Sequence, residues 1–163
     1  GISQYDMAYK RFIARLADGY LERGYEVKFI SFCRFQGDEE AIKEIRELMG
    51  NPDKDRVTEC CYDQNLQECI GCFSESEIVI GTRFHSIILG WLMGKKVLPI
   101  IYDLKTKYTL EDNDYPFYLQ LDNLNSDVEE LIGKVDKLKP PEKENLIAEA
   151  AGQFGALDHI LRG

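Results

Sequence analysis

Positive charge is scarce in this 163-residue chain: 20 Lys plus Arg stand against 29 Asp plus Glu, a net charge of −9. A field of that sign repels nucleic acid and anionic membrane alike, so neither is expected as a partner and any anionic ligand must be captured locally. Long hydrophobic runs are missing too. The longest, Ile87 to Met93, is broken by Gly90 and falls well short of the roughly 20 apolar residues a membrane span requires. No signal-peptide pattern and no low-complexity linker interrupt the chain. The five cysteines are odd in number, with Cys33, Cys60, Cys61, Cys69 and Cys72 all embedded in apolar segments. That usage favours reduced thiols and a cytoplasmic location over a disulfide scaffold. Cys69-Ile-Gly-Cys72 has the form of half a zinc or redox site, yet its partner pair is the adjacent Cys60-Cys61 rather than a second CxxC. The expectation is core packing and no metal.

What the chain does have is the balance of an ordinary globular protein, 44% hydrophobic and 30% charged residues, with length enough for one domain with a sizeable core. Apolar spacing alternates between helix and strand from end to end, which is the pattern of a parallel sheet wrapped by helices. A helix over 5–23 places Tyr9, Phe12, Ile13, Leu16 and Tyr20 on one stripe, with Gly24 as its left-handed C-terminal cap. A strand follows at 26–33. Asp38 is the expected N-cap of a helix carrying Ile42, Ile45 and Leu48.

A second strand is expected near 57–61, then a helix bearing Leu66, Cys69, Ile70 and Phe73. The run Ile78-Val79-Ile80 reads as a third strand, buried on both faces. Strands at 97–102 and about 116–120 complete the set. Ser126 and Glu129 form a capping box for a helix with Val128, Leu131, Ile132 and Val135, and Pro140-Pro141 separate it from a last amphipathic helix with Leu146, Ala150, Phe154, Leu157 and Leu161. The rhythm predicts a single three-layer α/β/α domain with a mainly parallel five-stranded sheet of order 2-1-3-4-5. Its crevice opens between the first and third strands, flanked by loops 33–38 and 81–85.

The segment 77–105 carries the chemistry. Its strand runs into Arg83 and His85 where an apolar helix begins, and a helix N-terminus gathers backbone N–H groups and partial positive charge on one point. A permanent guanidinium and an imidazole beside it suit a phosphate or carboxylate. The plainer roles are an ion pair between Arg83 and a carboxylate such as Asp103, and a His85 that caps its own helix. Lys105 is either a third cation at the mouth of the next strand or a solvated loop lysine. Arg34, on the loop across the predicted switch point, is a further candidate for the same ligand, and His159 is read as a surface residue.

Residues 26–112 resemble the polysaccharide pyruvyl transferase family, through the acidic helix opening at Asp38, the strand ending Ile80-Gly81, the Arg-x-His of Arg83 and His85, and the Tyr-Asp-x-Lys of Tyr102, Asp103 and Lys105. The resemblance implies the C-terminal Rossmann-like half of a two-domain enzyme similar to GT-B glycosyltransferases, with the N-terminal half as its missing partner. It implies transfer of the enolpyruvyl carbons of phosphoenolpyruvate to a saccharide as a pyruvate ketal in cell-surface or exopolysaccharide biosynthesis, with no cofactor beyond that donor. Arg83 would grip the donor, His85 would bind it and supply the proton assisted by the anion's own charge, and Lys105 would lie near the ligand.

Two other readings stay open on the residues alone. A nucleotide-sugar glycosyltransferase half would show a Gly-rich turn before the helix at 84 and an acidic residue for ribose, where this chain has Gly-Thr-Arg-Phe-His. A non-catalytic anion-binding module would use Arg83 without needing a proton donor.

Overall fold

Helix and strand ends here are set by local chemistry, and most fall within a residue or two of the apolar pattern that predicts them. The structure, a computed structural model, describes residues 6–32, 37–61, 66–115, 117–124 and 126–140. The elements run α1 (Asp6–Glu22), β1 (Val27–Ser31), α2 (Asp38–Leu48), a 3₁₀ turn (Lys54–Arg56), β2 (Val57–Cys61), α3 (Leu66–Glu75), β3 (Ile78–Gly81), α4 (Phe84–Leu92), β4 (Lys96–Ile101), α5 (Leu104–Asp112), β5 (Leu119–Gln120) and α6 (Val128–Asp136). Cys33, Arg34, His159 and the predicted last helix lie outside the described residues.

All the strand pairs are parallel, as the alternation of helix and strand predicts. They form a two-stranded sheet β1-β2 and a three-stranded sheet β3-β4-β5. Both are portions of the expected order 2-1-3-4-5, but no β1–β3 ladder joins them among the described residues.

The chain divides into two compact units, one of residues 1–75 and 121–137, the other of residues 76–120 and 138–163. In the first, Ala14, Ala17 and Leu21 of α1 pack with Ile45 and Met49 around α2 and with Val57 of β2, while Ile13, Val27 and Phe29 close the edge. The outer part of the predicted α1 stripe thus shifts, because Ala14, Ala17 and Leu21 are small or long enough to face the core alongside Leu16 and Tyr20. Gly24 ends α1 at φ +88°, where its N–H donates to Leu21 and that of Tyr25 to Tyr20, the paired closure a left-handed residue permits.

One cation is drawn into the same unit. The Lys10 ammonium is buried and meets Asp6 and Glu44, each at 2.6 Å. The hydrogen bonds to Asp6 and then Glu44 outweigh burial and hold it above the usual lysine range.

Two predicted caps are corrected. Gly37, not Asp38, is the N-cap of α2, because the Asp38 carboxylate instead accepts the Phe32 N–H at 3.1 Å beyond the end of β1. Asp127, not Ser126, caps α6, accepting from Glu129 N and Glu130 N at 2.9 and 3.1 Å.

The second unit holds the segment singled out for function. Its fully covered strand is β4, where Val97 through Ile101 are all buried, since β4 is flanked by β3 and β5. β3 lies at the end of that sheet and alternates, with Val79 and Gly81 buried and Ile78 and Ile80 only half-buried, which corrects the expectation of three buried residues there. Pro99, without an N–H to donate, sits where the β3 ladder ends and the β5 ladder begins. Trp91 of α4 packs on Tyr115 with ring centroids 4.7 Å apart, and the Tyr115 hydroxyl donates to the Val97 carbonyl.

Three of the four described cysteines follow the core-packing expectation in their burial. Cys60, Cys69 and Cys72 are buried free thiols, and Cys61 is exposed. Burial, with the neighbouring Cys72 adding to it, pushes the Cys60 thiol up to about 12, and burial raises that of Cys69. Because the thiolate is the reactive form, brief alkylation with iodoacetamide at neutral pH followed by peptide mapping is expected to label Cys61 well before Cys60 and Cys69. Equal labelling of Cys60 in the folded protein would contradict the packing of β2 against α3.

Candidate functional site

Parallel pairing brings the carboxyl ends of β3 and β4 to one edge, with Gly81 opposite Pro99, and in open α/β sheets that edge is where ligands bind. Each strand then leads within a few residues into a helix, β3 into α4 and β4 into α5.

Gly81 decides how closely the first of these junctions packs. A Cβ at this position would lie 2.8 Å from Ser86 Oγ, 2.9 Å from Ile87 Cγ1 and 3.3 Å from the Ile87 backbone nitrogen. Only glycine lets the first turn of α4 rest directly on the end of β3.

Arg83 is the N-cap of α4, in extended conformation at φ −93°, ψ 138°. Its carbonyl accepts from Ser86 N at 3.0 Å, Ile87 N at 3.2 Å and Ser86 Oγ at 2.6 Å. Its side chain makes no capping bond, and the first turn of α4 carries no acidic residue.

The position is electrostatically inverted. A helix start favours Ser, Thr, Asp or Asn at the cap and carboxylates in the first turn. Among the described helices α1, α2, α3 and α6 have an acidic residue in the first turn and α5 has Asp103 at its cap. At α4 a guanidinium takes that place, and the N–H groups of Phe84 and His85, being first in the helix, have no carbonyl one turn back to bond.

The second junction supplies another cation. Asp103 caps α5, its carboxylate accepting from Thr106 N at 2.8 Å and Thr106 Oγ1 at 2.9 Å. Asp103 thus starts α5 as its cap. Lys105 stands on the first turn of α5, which corrects the loop placement, and its Nζ lies 4.7 Å from the centroid of the Phe84 ring. Phe84 in turn meets the exposed His85 ring edge-on, with centroids 6.0 Å apart.

His85 and Lys105 therefore both meet Phe84, and Arg83 directly precedes that ring as the cap residue of α4. Arg34 lies outside the described residues. Sequence reasoning missed Phe84 as the link, though its signal was present as the aromatic inside Arg-Phe-His. It also missed Gly81 as a packing requirement.

A model of the polysaccharide pyruvyl transferase family matches residues 4–103, more than half of the chain. The chain belongs to that family. The match takes in β3, the whole of α4 with Arg83 and His85, and β4, and it ends at the Asp103 cap, two residues before Lys105. Searches of curated proteins and of solved structures gave no match.

Membership makes the chain part of a transferase family with a saccharide substrate. Among the described residues no helix is long and apolar enough to cross a membrane, and no group of three or more His, Cys, Asp or Glu side chains is arranged to hold a metal ion.

Proposed function

We propose that this member of the polysaccharide pyruvyl transferase family transfers the enolpyruvyl carbons of phosphoenolpyruvate to two hydroxyls of a saccharide as a pyruvate ketal. The chain would supply the C-terminal, Rossmann-like half of a GT-B-like enzyme working in the cytoplasm on precursors of a cell-surface or exported polysaccharide. The observation that carries the reading is the inverted cap of α4, which places Arg83 where a helix start otherwise recruits a carboxylate, with His85 and Lys105 both against the neighbouring Phe84. In a chain of net charge −9 such a concentration of positive charge needs a local purpose.

Phosphoenolpyruvate matches that charge with a phosphate and a carboxylate. Arg83 binds one of them in a bidentate pair and keeps its charge at every pH of interest. Lys105 adds a point charge that the Phe84 ring positions. His85 delivers a proton to the methylene carbon, which leaves C2 electrophilic. One saccharide hydroxyl adds to C2, the bond from C2 to the phosphate oxygen breaks, and the second hydroxyl closes the ketal. Of the two hydroxyl protons released, one replaces the proton His85 gave to the new methyl group and the other leaves with inorganic phosphate.

The test is to incubate the protein with phosphoenolpyruvate and lipid-linked or nucleotide-linked saccharides, following phosphate release and the ketal methyl resonance. Arg83→Ala is expected to raise the KM for phosphoenolpyruvate by roughly tenfold to a hundredfold, the scale of losing a charge-assisted hydrogen-bonded pair. An unchanged KM would take the donor away from Arg83.

A further inference from the structure

Among the described residues, six large apolar side chains are exposed: Met7, Leu48, Ile70, Tyr102, Leu104 and Tyr108. Three of the six fall within one seven-residue stretch at the rim of the site. Tyr102 follows the last residue of β4, Leu104 opens α5, and Tyr108 lies one turn further on.

On α5 the buried positions are Thr106 and Leu110. Leu104 and Tyr108, spaced i and i+4, form the opposite, outward stripe, 65% and 57% exposed. That stripe is where a surface helix normally carries charge, as α6 does with the exposed Glu129, Glu130 and Lys134. Lys105, next to Leu104 and three residues before Tyr108, reaches back over Phe84. The apolar stripe therefore borders the cationic cluster directly.

Phosphoenolpyruvate does not account for this stripe, since it is small and doubly anionic. A pyranose does. Its ring presents a face of C–H groups and a rim of hydroxyls, which suits a phenol that offers an apolar face and a hydrogen-bonding hydroxyl together. A second copy of the chain is the poorer occupant, because three side chains interrupted by Lys105 and Lys107 fall far below the roughly 800 Å² per partner of a stable interface.

We infer that Tyr102, Leu104 and Tyr108 form the acceptor platform, on which a pyranose ring of the saccharide rests with its hydroxyls turned toward the donor site at Arg83 and His85. The inference rests on the transfer reading for its second substrate. It adds the side of the donor cluster from which the acceptor arrives, and the residues that select a sugar.

The experiment titrates the 163-residue protein with a panel of methyl pyranosides, of gluco, galacto and manno configuration, and separately with phosphoenolpyruvate, following ring resonances of labelled tyrosines. All the substituted positions are exposed, so the variants are expected to fold, and thermal melting checks it. At least one pyranoside should shift Tyr102 and Tyr108. Tyr108→Ala and Leu104→Ser should weaken its binding at least fivefold, Tyr108→Phe should change it by less than threefold, and phosphoenolpyruvate binding should be the same in all.

Phosphoenolpyruvate binding without any pyranoside effect on these tyrosines, or with equal pyranoside affinity in Tyr108→Ala, overturns the platform and leaves the donor site intact. Pyranoside binding that Tyr108→Ala abolishes, with no phosphoenolpyruvate binding, retains the platform and removes the donor assignment. A dimer in sedimentation that Leu104→Ser dissolves, with no pyranoside contact, gives the stripe to a second copy and overturns the inference.

Discussion

His85→Gln is expected to lower the turnover of pyruvyl transfer by about a hundredfold or more, the usual scale for removing a general acid. Glutamine keeps a hydrogen-bond donor of similar reach but has no proton to give up. Donor affinity should consequently move by no more than a few fold, so the loss appears in kcat rather than in KM. His85 is exposed on the first turn of α4, with its ring edge against Phe84, so the substitution should leave thermal stability within about 0.5 kcal/mol of the parent. The combination separates chemistry from folding. Full turnover in the variant would remove the proton-donor role and leave His85 as a donor ligand or a bystander.

Gly81→Val is the second large effect, and it acts through packing. The added carbons meet three atoms that have nowhere to go. Ser86 Oγ is held by the Arg83 carbonyl, Ile87 is buried, and the third is backbone. The first turn of α4 must therefore lift from β3, at a cost of about 1–3 kcal/mol on the scale of overpacked cores. At about 2–4 °C per kcal/mol for a chain of this length, the melting temperature should fall by roughly 2–12 °C.

The same displacement shifts Arg83 and His85 together, so phosphoenolpyruvate binding should weaken about tenfold as well. Gly71→Ala is the matched control. A Cβ there meets nothing within 4 Å, and alanine in a helix is favoured over glycine by roughly 0.5–1 kcal/mol, so that variant should be neutral or more stable. If Gly81→Val melts like the parent and binds the donor equally, the close junction of β3 and α4 is not what sets the site.

The alternation of helices and parallel strands was readable because the apolar periods are strong where the core is thick. β2 and α3 start where the pattern puts them, and β4 is displaced by a single residue. α5 had no such signal. Its two buried positions are a threonine and one leucine, and its most visible apolar residues, Leu104 and Tyr108, face outward. What starts it is the Asp103 cap, legible only once the end of β4 is known.

The caps of α2 and α6 went wrong for a related reason. Adjacent residues there can all cap, and the winner is decided by a bond to something else, the Phe32 N–H for Asp38, or by helix register, for Asp127. In the site, Arg83 and His85 were legible because strand, cation and helix follow one another along the chain. The contact of Lys105 with Phe84 crosses an intervening helix and strand, and no spacing rule conveys it.

The first compact unit draws its last helix from beyond residue 120, and this orders events during synthesis. Arg23 near the end of α1 pairs with Glu129 and Asp136 of α6 at 2.8 and 3.2 Å, more than 100 residues later. A ribosome adding roughly 5–20 residues per second needs several seconds to deliver that partner. Meanwhile β3, α4, β4, α5 and β5 have all emerged, so the elements bearing Arg83, His85 and Lys105 can assemble while α1 still lacks one neighbour. Chains interrupted before α6 would hold the chemical groups and leave one side of α1 uncovered, a species for chaperones and proteases to recognise.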